Sequence, residues 1–198
     1  YQCDLFEQAI ARAHAYGFTP TTRHAANSAA LMRYDRAHYD LVRPGIAIFG
    51  VNPIAGLTDD LRPVMRVRSE VIALREIPEG QAAGYNSTWT AARPSRLATI
   101  PIGYADGLPR ALANRGRVLI RGKSAPIVGA VSMDLITVDV TEIDGISIKD
   151  EVCVLGAQQG PLGVDCISAE EIANASSLIT WEVLTGISRR VPRFYREP

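Results

Sequence analysis

The most informative feature of this sequence is a pair of tyrosine-bearing turns, Gly84-Tyr85-Asn86-Ser87-Thr88-Trp89 and Ile100-Pro101-Ile102-Gly103-Tyr104-Ala105-Asp106-Gly107. Turns of this kind hold a phenol at the edge of a β-structure, where it can act on a molecule bound opposite. A strand is predicted between residues 62 and 77, and short β-rich segments separated by Gly, Pro and Asp follow at 97–102, 117–120, 125–131, 136–140 and 151–155. This spacing predicts an all-β module with a barrel-like sheet.

The first sixty residues have a different pattern, in which helices and strands alternate. The predicted order is helix 4–16 with Asp4 as its N-cap, strand 19–23, loop 24–28, helix 28–34 and strand 39–42. This alternation is typical of a parallel sheet covered by helices. Polar residues cluster where each predicted strand ends, as they do in the active sites of α/β barrels.

These two patterns divide the chain into residues 1–60, the C-terminal part of a TIM-like α/β barrel, and residues 61–198, a β-barrel-like domain. A complete α/β barrel needs about 250 residues, so sixty cannot close one. The chain also opens inside a helical pattern at Tyr1, without an initiator Met. We therefore expect a fragment, with the N-terminal half of the barrel outside it. Near the other end, Ser168–Glu171 predicts the capped start of a helix.

The composition narrows the functional classes. Of the 198 residues, 47% are hydrophobic, enough for a substantial core, and the 21 Lys and Arg balance the 21 Asp and Glu. The scattered basic residues form no stripe for nucleic acid, and the apolar runs are too short to span a membrane. The three cysteines, Cys3, Cys153 and Cys166, match neither a disulfide framework nor zinc-ligand spacing. We expect a reduced, cytoplasmic protein with no metal site.

Five motifs together resemble those of the alanine racemase family. They read His24-Ala25-Ala26-Asn27-Ser28-Ala29-Ala30, Arg43-Pro44-Gly45-Ile46-Ala47-Ile48-Phe49-Gly50, Gly84-Tyr85, the turn 100–107 and Ile127-Val128-Gly129-Ala130-Val131-Ser132-Met133-Asp134. They occur in the family's order and near its spacing. The resemblance implies a pyridoxal 5'-phosphate enzyme that interconverts L- and D-alanine and supplies D-alanine for peptidoglycan. It also implies an N-terminal α/β barrel followed by a C-terminal β domain.

The resemblance implies that Tyr85, Arg43 and His24 carry the catalytic chemistry. Tyr85 resembles the base that takes the α-proton from L-alanine, although the pattern alone is more typical of a hairpin tyrosine packed on a strand. A phenol needs cationic neighbours or hydrogen-bond donors to act as a base near neutral pH. Arg43 resembles the arginine that faces the cofactor's pyridine nitrogen, where a permanent cation keeps that nitrogen unprotonated. His24 resembles the histidine that links this arginine to the tyrosine by hydrogen bonds.

The same resemblance implies a set of cofactor-binding residues, Asn27, Ser28, Arg43, Gly45, Ile46 and Trp181. Ser28 would offer a hydroxyl to the phosphate, and Gly45 and Ile46 would offer backbone N–H groups. Asn27 would support this loop, although helix capping alone also explains an Asn-Ser pair. Trp181 stands where many relatives have a tyrosine that reaches towards the phosphate.

Substrate contacts are implied at Met133, Asp134 and Tyr104. The backbone of Met133 would meet the substrate carboxylate. Asp134 and Tyr104, together with Arg110, would shape the corridor to the site, although turn structure and surface charge explain these three equally well. Ala130 replaces a longer polar residue of many relatives, so the corridor is expected to be wider or less charged.

Two family features lie outside this chain. The lysine that holds the cofactor as a Schiff base is not here, because Lys123 and Lys149 match no such motif, and the arginine that contacts the cofactor's phenolic oxygen is also absent. We therefore expect the fragment alone to be inactive. The intact enzyme is expected to be a head-to-tail homodimer in which Tyr85 of one subunit completes the site of the other.

Other functions stay open at this point. A racemase of the same fold with broader or serine specificity would differ in its corridor, at Ala130 and Trp181, whose effects the sequence does not rank. A decarboxylase of the same architecture is disfavoured because the Arg-Pro-Gly-Ile and Gly-Tyr motifs occur here together. A non-catalytic β-domain binding module is disfavoured because residues 1–60 would expose bare strand edges.

Overall fold

The computed structural model describes residues 1–54, 56 and 61–195 of the 198-residue chain. The chain forms two compact units, the first from Tyr1 to Val64 and the second from Met65 onward. The domain boundary predicted after residue 60 falls on residues outside the described part, and it stays a prediction.

The first unit begins with a helix, α1, which spans Gln2–Ala15. The prediction of Asp4 as its N-cap is wrong, because the helix begins earlier and its N-cap residue is Tyr1. Asp4 lies in the first turn, where a carboxylate is favoured by the helix dipole. It also pairs there with Arg36, at 2.6 Å. Gly17, with φ +80°, follows the helix and its C-cap residue, Tyr16.

A second helix, α2, spans Ser28–Arg33, and 3-10 helices follow at Asp35–Ala37 and Ile46–Phe49. The strands predicted at 19–23 and 39–42 are not formed. One backbone hydrogen bond joins these two segments, from Asp40 N to Arg23 O, and a second follows just beyond them, from Arg43 N to Ala26 O. That is too few for a ladder, and the described residues of this unit contain a single isolated parallel bridge, between Asn27 and Arg43.

The second unit is mostly β, as predicted. Its strands are β1 Val67–Glu70, β2 Ala73–Ile77, β3 Ala82–Ala83, β4 Trp89–Thr90, β5 Ser95–Ile100, β6 Arg117–Ile120, β7 Lys123–Pro126, β8 Ile136–Asp139, β9 Glu151–Gly160 and β10 Gly163–Ile167. One antiparallel sheet has the order β1-β9-β6-β7, with β10 also on β9, and a second has the order β2-β5-β8. Strands β3 and β4 form a separate antiparallel hairpin.

The strand predicted within residues 62–77 is two strands that belong to different sheets. The change occurs between Val71 and Ile72. Val71 N donates to Asp150 O beside the first sheet, whereas Ile72 N donates to Thr99 O on β5 of the second.

The core of the second unit is aliphatic, and its largest fully buried side chains include Leu97, Ile100, Leu119, Ile120, Ile127, Ile136, Ile167 and Val152. Each such side chain stabilises the fold by about 1.5–3 kcal/mol relative to an exposed one.

Two helices close the unit, α3 at Ala169–Ser176 and α4 at Thr180–Gly186. The predicted start of α3 is confirmed, since the Ser168 hydroxyl accepts from Glu171 N at 3.1 Å. The Glu171 carboxylate accepts from Arg117 on β6, at 2.6 Å from its Nε. Arg117 also pairs with Asp165 on β10, so one guanidinium ties two strands to a helix. None of the helices in residues 1–54, 56 and 61–195 is long and apolar enough to cross a membrane.

Candidate active site

In the first unit, the segments 24–28 and 43–47 lie side by side. The parallel bridge between Asn27 and Arg43 holds them together, and Arg43 N donates to Ala26 O at 2.8 Å. We call these two segments the Ser28 cluster. The structure thus brings together five of the predicted cofactor residues, Asn27, Ser28, Arg43, Gly45 and Ile46.

The buried Ser28 hydroxyl is the centre of the Ser28 cluster. Its oxygen accepts from Gly45 N at 2.8 Å and from Ala47 N at 3.4 Å. A serine hydroxyl has two acceptor sites and one donor hydrogen, and these two bonds occupy both acceptor sites. No residue among 1–54, 56 and 61–195 accepts that hydrogen, so it is available to a ligand oxygen.

Gly45 leaves open space beside this hydroxyl. A Cβ built on Gly45 would have one neighbour within 4 Å in the described structure, Ser28 Oγ at 4.0 Å. Asn27 caps α2, because its Oδ1 accepts from Ala30 N at 3.0 Å. Ile46 is buried, so its side chain is not open to a ligand.

Arg43 and His24 are both exposed in the first unit. Arg43 Nη2 donates to Ala25 O at 3.2 Å, which leaves other N–H groups of the guanidinium for a ligand. The predicted hydrogen bond between His24 and Arg43 is not formed within the described residues. The linking role of His24 therefore stays a prediction.

In the second unit, Tyr85 lies on the loop between β3 and β4. A small apolar core formed by Ile77, Ala83, Ala91, Leu97 and Val128, with Trp89 packed against it, holds the base of this hairpin. The loop itself runs through the left-handed region at Gly84, Asn86 and Ser87, with φ values of +78°, +60° and +49°. The Tyr85 side chain is 71% exposed. This exposure disagrees with a tyrosine that packs on a neighbouring strand.

The turns that carry Tyr104 and Met133 are joined by their backbones. Tyr104 N donates to Ser132 O and Ala105 N to Met133 O, both at 3.0 Å. A Cβ on Gly103 would lie 2.3 Å from the carbonyl oxygens of Ser132 and Met133, so this close approach requires glycine. Met133 is exposed, and no described residue accepts from its N–H group.

The remaining corridor candidates also lie in the second unit. The Arg110 guanidinium stacks over the Tyr104 ring at 5.7 Å from its centroid, an attractive cation–π contact. Trp181 lies on α4, 44% exposed, and no described residue accepts from its indole N–H. Ala130 is partly buried.

Sequence reasoning missed Arg190, which connects the two turns. Its guanidinium pairs with Asp106 at 2.8 Å and with Asp134 at 2.5 Å. The hydrogen bond to Asp134, reinforced by the charge of Asp106, raises the pKa of Arg190 above its ordinary value. Arg190 belongs to the basic segment 188–193, which is visible in the sequence, but nothing in the sequence indicated that Asp106 and Asp134 are its partners.

No group of three or more His, Cys, Asp or Glu residues in the described ranges could hold a metal ion. The donors that the two units present suit an anion and a small polar molecule: a hydroxyl and amides in the Ser28 cluster, and a phenol and a free amide at Tyr85 and Met133.

Comparison with known sequences identifies two matching domain families. Residues 64–195 match the alanine racemase C-terminal domain, and residues 1–53 match the alanine racemase N-terminal domain. The alanine racemase of Sorangium cellulosum (strain So ce56) is 59% identical over 197 residues, which cover 100% of this chain and 52% of that protein. The alanine racemase of Syntrophobacter fumaroxidans is 47% identical, over 95% of this chain and 49% of that protein.

Solved structures give the same result. Alanine racemase from Bacillus anthracis with bound L-Ala-P matches with a TM-score of 0.90 and 33% identity, over 99% of this chain and 50% of that one. Alanine racemase from Bartonella henselae with covalently bound pyridoxal phosphate matches with a TM-score of 0.81 and 36% identity, over 96% and 51%. The chain spans about half the length of the curated relatives it matches.

Proposed function

The chain belongs to the alanine racemase family, and we propose that the full-length protein containing it interconverts L- and D-alanine with pyridoxal 5'-phosphate. The observation that carries this proposal is the 59% identity to an alanine racemase over 197 residues. We further propose that the first unit is part of the cofactor-binding α/β barrel. The D-alanine would be made in the cytoplasm and used in peptidoglycan.

The Ser28 cluster suits the cofactor phosphate. The free hydrogen of the Ser28 hydroxyl and the open space beside Gly45 fit an oxyanion that approaches the backbone closely. Arg43, held to Ala25 O by one N–H, can present its remaining donors to the pyridine ring nitrogen. When bound, pyridoxal phosphate acidifies the α-proton of alanine by taking up the electron pair of the C–H bond.

Tyr85 is proposed to move the α-proton on one face of alanine. Its exposure, on a hairpin whose base packs in a small apolar core, suits a group that reaches into a site completed elsewhere. The free N–H of Met133 suits the substrate carboxylate, since charge-assisted hydrogen bonds to an anion are the strong ones. Asp134, Tyr104 and Arg110 would line the corridor, and Trp181 would lie near the phosphate.

The other parts of the site are proposed to come from chain beyond these residues. Lys123 Nζ donates to Glu142 O at 2.5 Å, and Lys149 is exposed on a turn. The Schiff-base lysine would therefore belong to the N-terminal barrel half. No residue of α1 is buried within the described structure, which agrees with a helix that is covered by that half. A homodimer is proposed to bring Tyr85 of one subunit to the cofactor of the other.

The test is Tyr85→Phe in the full-length protein with pyridoxal phosphate. Because enantiomers have equal free energies, kcat/KM falls equally in both directions in any variant. The informative measurement is instead exchange of the α-proton with solvent deuterium, for each enantiomer separately. We expect exchange from L-alanine to fall by about 10²–10⁴-fold, while exchange from D-alanine is retained through the base on the opposite face.

Tyr195→Phe, at another exposed tyrosine of the same unit, is the control and should leave both rates unchanged. An equal loss of exchange from both enantiomers in Tyr85→Phe would contradict the proposed role. Faster exchange of L-serine than of L-alanine in the unmodified protein would replace alanine racemase by a serine-preferring racemase of the same fold.

A further inference from the structure

Asn114 lies between the Tyr85 hairpin and the segment that leads to Met133. Its Oδ1 accepts from Gly129 N at 2.6 Å, and its Nδ2 donates to Thr88 O at 3.1 Å. Thr88 is three residues after Tyr85, and Gly129 is four residues before Met133. One side chain therefore joins the backbones on which the proposed base and the proposed carboxylate donor lie.

The Asn114 side chain bridges two backbone segments that already approach each other closely at Gly84 and Gly129. A Cβ on Gly84 would lie 3.1 Å from Ala130 N, and a Cβ on Gly129 would lie 2.9 Å from Ala83 O. The two backbones are close enough for a short side chain to bridge them. The amide is needed at both ends, because one end meets an N–H donor and the other a carbonyl acceptor.

Asn114 also adopts a left-handed backbone, with φ +56°, which Asn tolerates better than most residues. The left-handed backbone alone would also explain an asparagine at position 114, without any role for the bridge. The two reasons make different predictions, because glycine satisfies the turn but removes the bridge, and aspartate keeps one hydrogen bond but repels the Thr88 carbonyl.

We propose that Asn114 is a positioning residue, which sets the place of the Tyr85 phenol relative to the Met133 amide by clamping the hairpin to the segment before Met133. This rests on the proposed function of Tyr85 and Met133. A shift of about 1 Å between a base and its substrate is enough to cost on the order of 10²-fold in rate. A clamp that acts on Tyr85 affects the face of alanine that Tyr85 serves and spares the other face.

The test compares Asn114→Gly and Asn114→Asp with Ser177→Gly in the full-length protein. Ser177 is a matched control, since it is exposed in the same unit and also left-handed, with φ +57°. We expect both Asn114 variants to lose exchange of the L-alanine α-proton by ~10–100-fold, with exchange from D-alanine retained. Ser177→Gly should retain both rates.

A second readout needs no cofactor. In the cofactor-free protein, backbone hydrogen exchange over residues 81–92 should accelerate in both Asn114 variants and not in Ser177→Gly. An equal loss for both enantiomers, an unchanged exchange ratio, or unchanged protection of 81–92 would overturn the proposal. If Tyr85→Phe itself lacks the L-alanine selectivity, the proposed function fails; if Tyr85→Phe has it and the Asn114 variants do not, only the clamp fails.

Discussion

Arg190 Nε lies 2.8 Å from an Asp106 carboxylate oxygen that is largely removed from solvent, in a side chain only 13% exposed. The other oxygen of Asp106 accepts from Gly103 N at 2.8 Å. One oxygen of Asp106 thus stabilises its own turn by a hydrogen bond, and the other forms an ion pair with Arg190. Arg190 also forms an ion pair with Asp134. Three groups distant in sequence fix the two turns that would surround the substrate carboxylate.

Arg190→Ala should loosen this arrangement. Two carboxylates then lose their common cation, and we expect the free energy of unfolding to fall slightly, because exposed ion pairs contribute little. The KM for alanine should rise more than kcat falls, because the change acts on the proposed substrate turn and not on the base. Urea unfolding and steady-state kinetics of the full-length protein measure both effects.

Arg190→Lys is the control for charge alone. A lysine keeps the cation but lacks the planar fork that reaches two carboxylates, so its effect should be intermediate. An unchanged KM in Arg190→Ala would mean that the ion pairs stabilise the fold without shaping the substrate turn.

Ser28→Ala should weaken cofactor binding. It removes the hydroxyl hydrogen proposed for the phosphate and leaves the Gly45 and Ala47 N–H groups without their acceptor. Such a loss costs about 1–3 kcal/mol, or roughly 5- to 150-fold in the dissociation constant for pyridoxal phosphate, measured by equilibrium binding. Ser176→Ala removes an equally buried hydroxyl that bonds Ile172 O in the second unit, and it should leave that constant unchanged. If the two variants bound pyridoxal phosphate equally well, Ser28 would not contribute to binding of the phosphate.

Gly103→Ala should be more damaging than Gly116→Ala. A Cβ at Gly103 meets backbone carbonyl oxygens at 2.3 Å, which cannot move without parting the two turns. At Gly116 the nearest atoms are side-chain carbons of Ile127 and Leu112 at 3.0 Å, which can shift. We expect a loss of about 3 kcal/mol or more at Gly103 and about 1 kcal/mol at Gly116, measured by urea unfolding. A smaller effect at Gly103 would contradict the tight packing of Gly103 on Ser132 and Met133.

The β segments of the second unit could be predicted from sequence because their signals are local. In Arg117–Ile120 an arginine is followed by three apolar residues, and the segment forms β6 with the predicted bounds. The break between Val71 and Ile72 could not be predicted, because the apolar alternation continues through it and only the partners, Asp150 and Thr99, change.

The strands predicted in the first unit were wrong, because strand formation depends on non-local partners that the local sequence does not reveal. Residues 19–23 and 39–42 carry strand-like residues, but a strand exists only where a neighbour accepts its backbone bonds. The motifs around Ser28 and Gly45 are recognisable in the sequence, and the structure places the two residues in contact, while their cofactor role stays a prediction. Arg190 and Asn114 could not be found from sequence, because their contacts are with residues that are distant in sequence, Asp106 and Asp134 for one, Thr88 and Gly129 for the other.

The ion pair of Asp165 with Arg117 makes the stability of the second unit depend on pH. The hydrogen bond from Arg117, helped by one from Cys166 N at 2.7 Å, holds the pKa of Asp165 below its ordinary value. An aspartate whose pKa is lower in the folded than in the unfolded chain stabilises the fold above its unfolded pKa, about 3.9. That stabilisation disappears as the pH falls from there through the lowered folded pKa.

Asp165→Asn should therefore flatten the acid limb of the stability curve. The urea midpoint of the unmodified protein should fall more steeply below about pH 4 than that of the variant, because only the former has this carboxylate to protonate. Asp144→Asn is the control, since Asp144 is exposed in the same unit and makes no ion pair within the described residues. It should follow the unmodified protein throughout. If the curves for Asp165→Asn and the unmodified protein ran parallel, protonation of Asp165 would not contribute to the loss of stability in acid, and the prediction would be wrong.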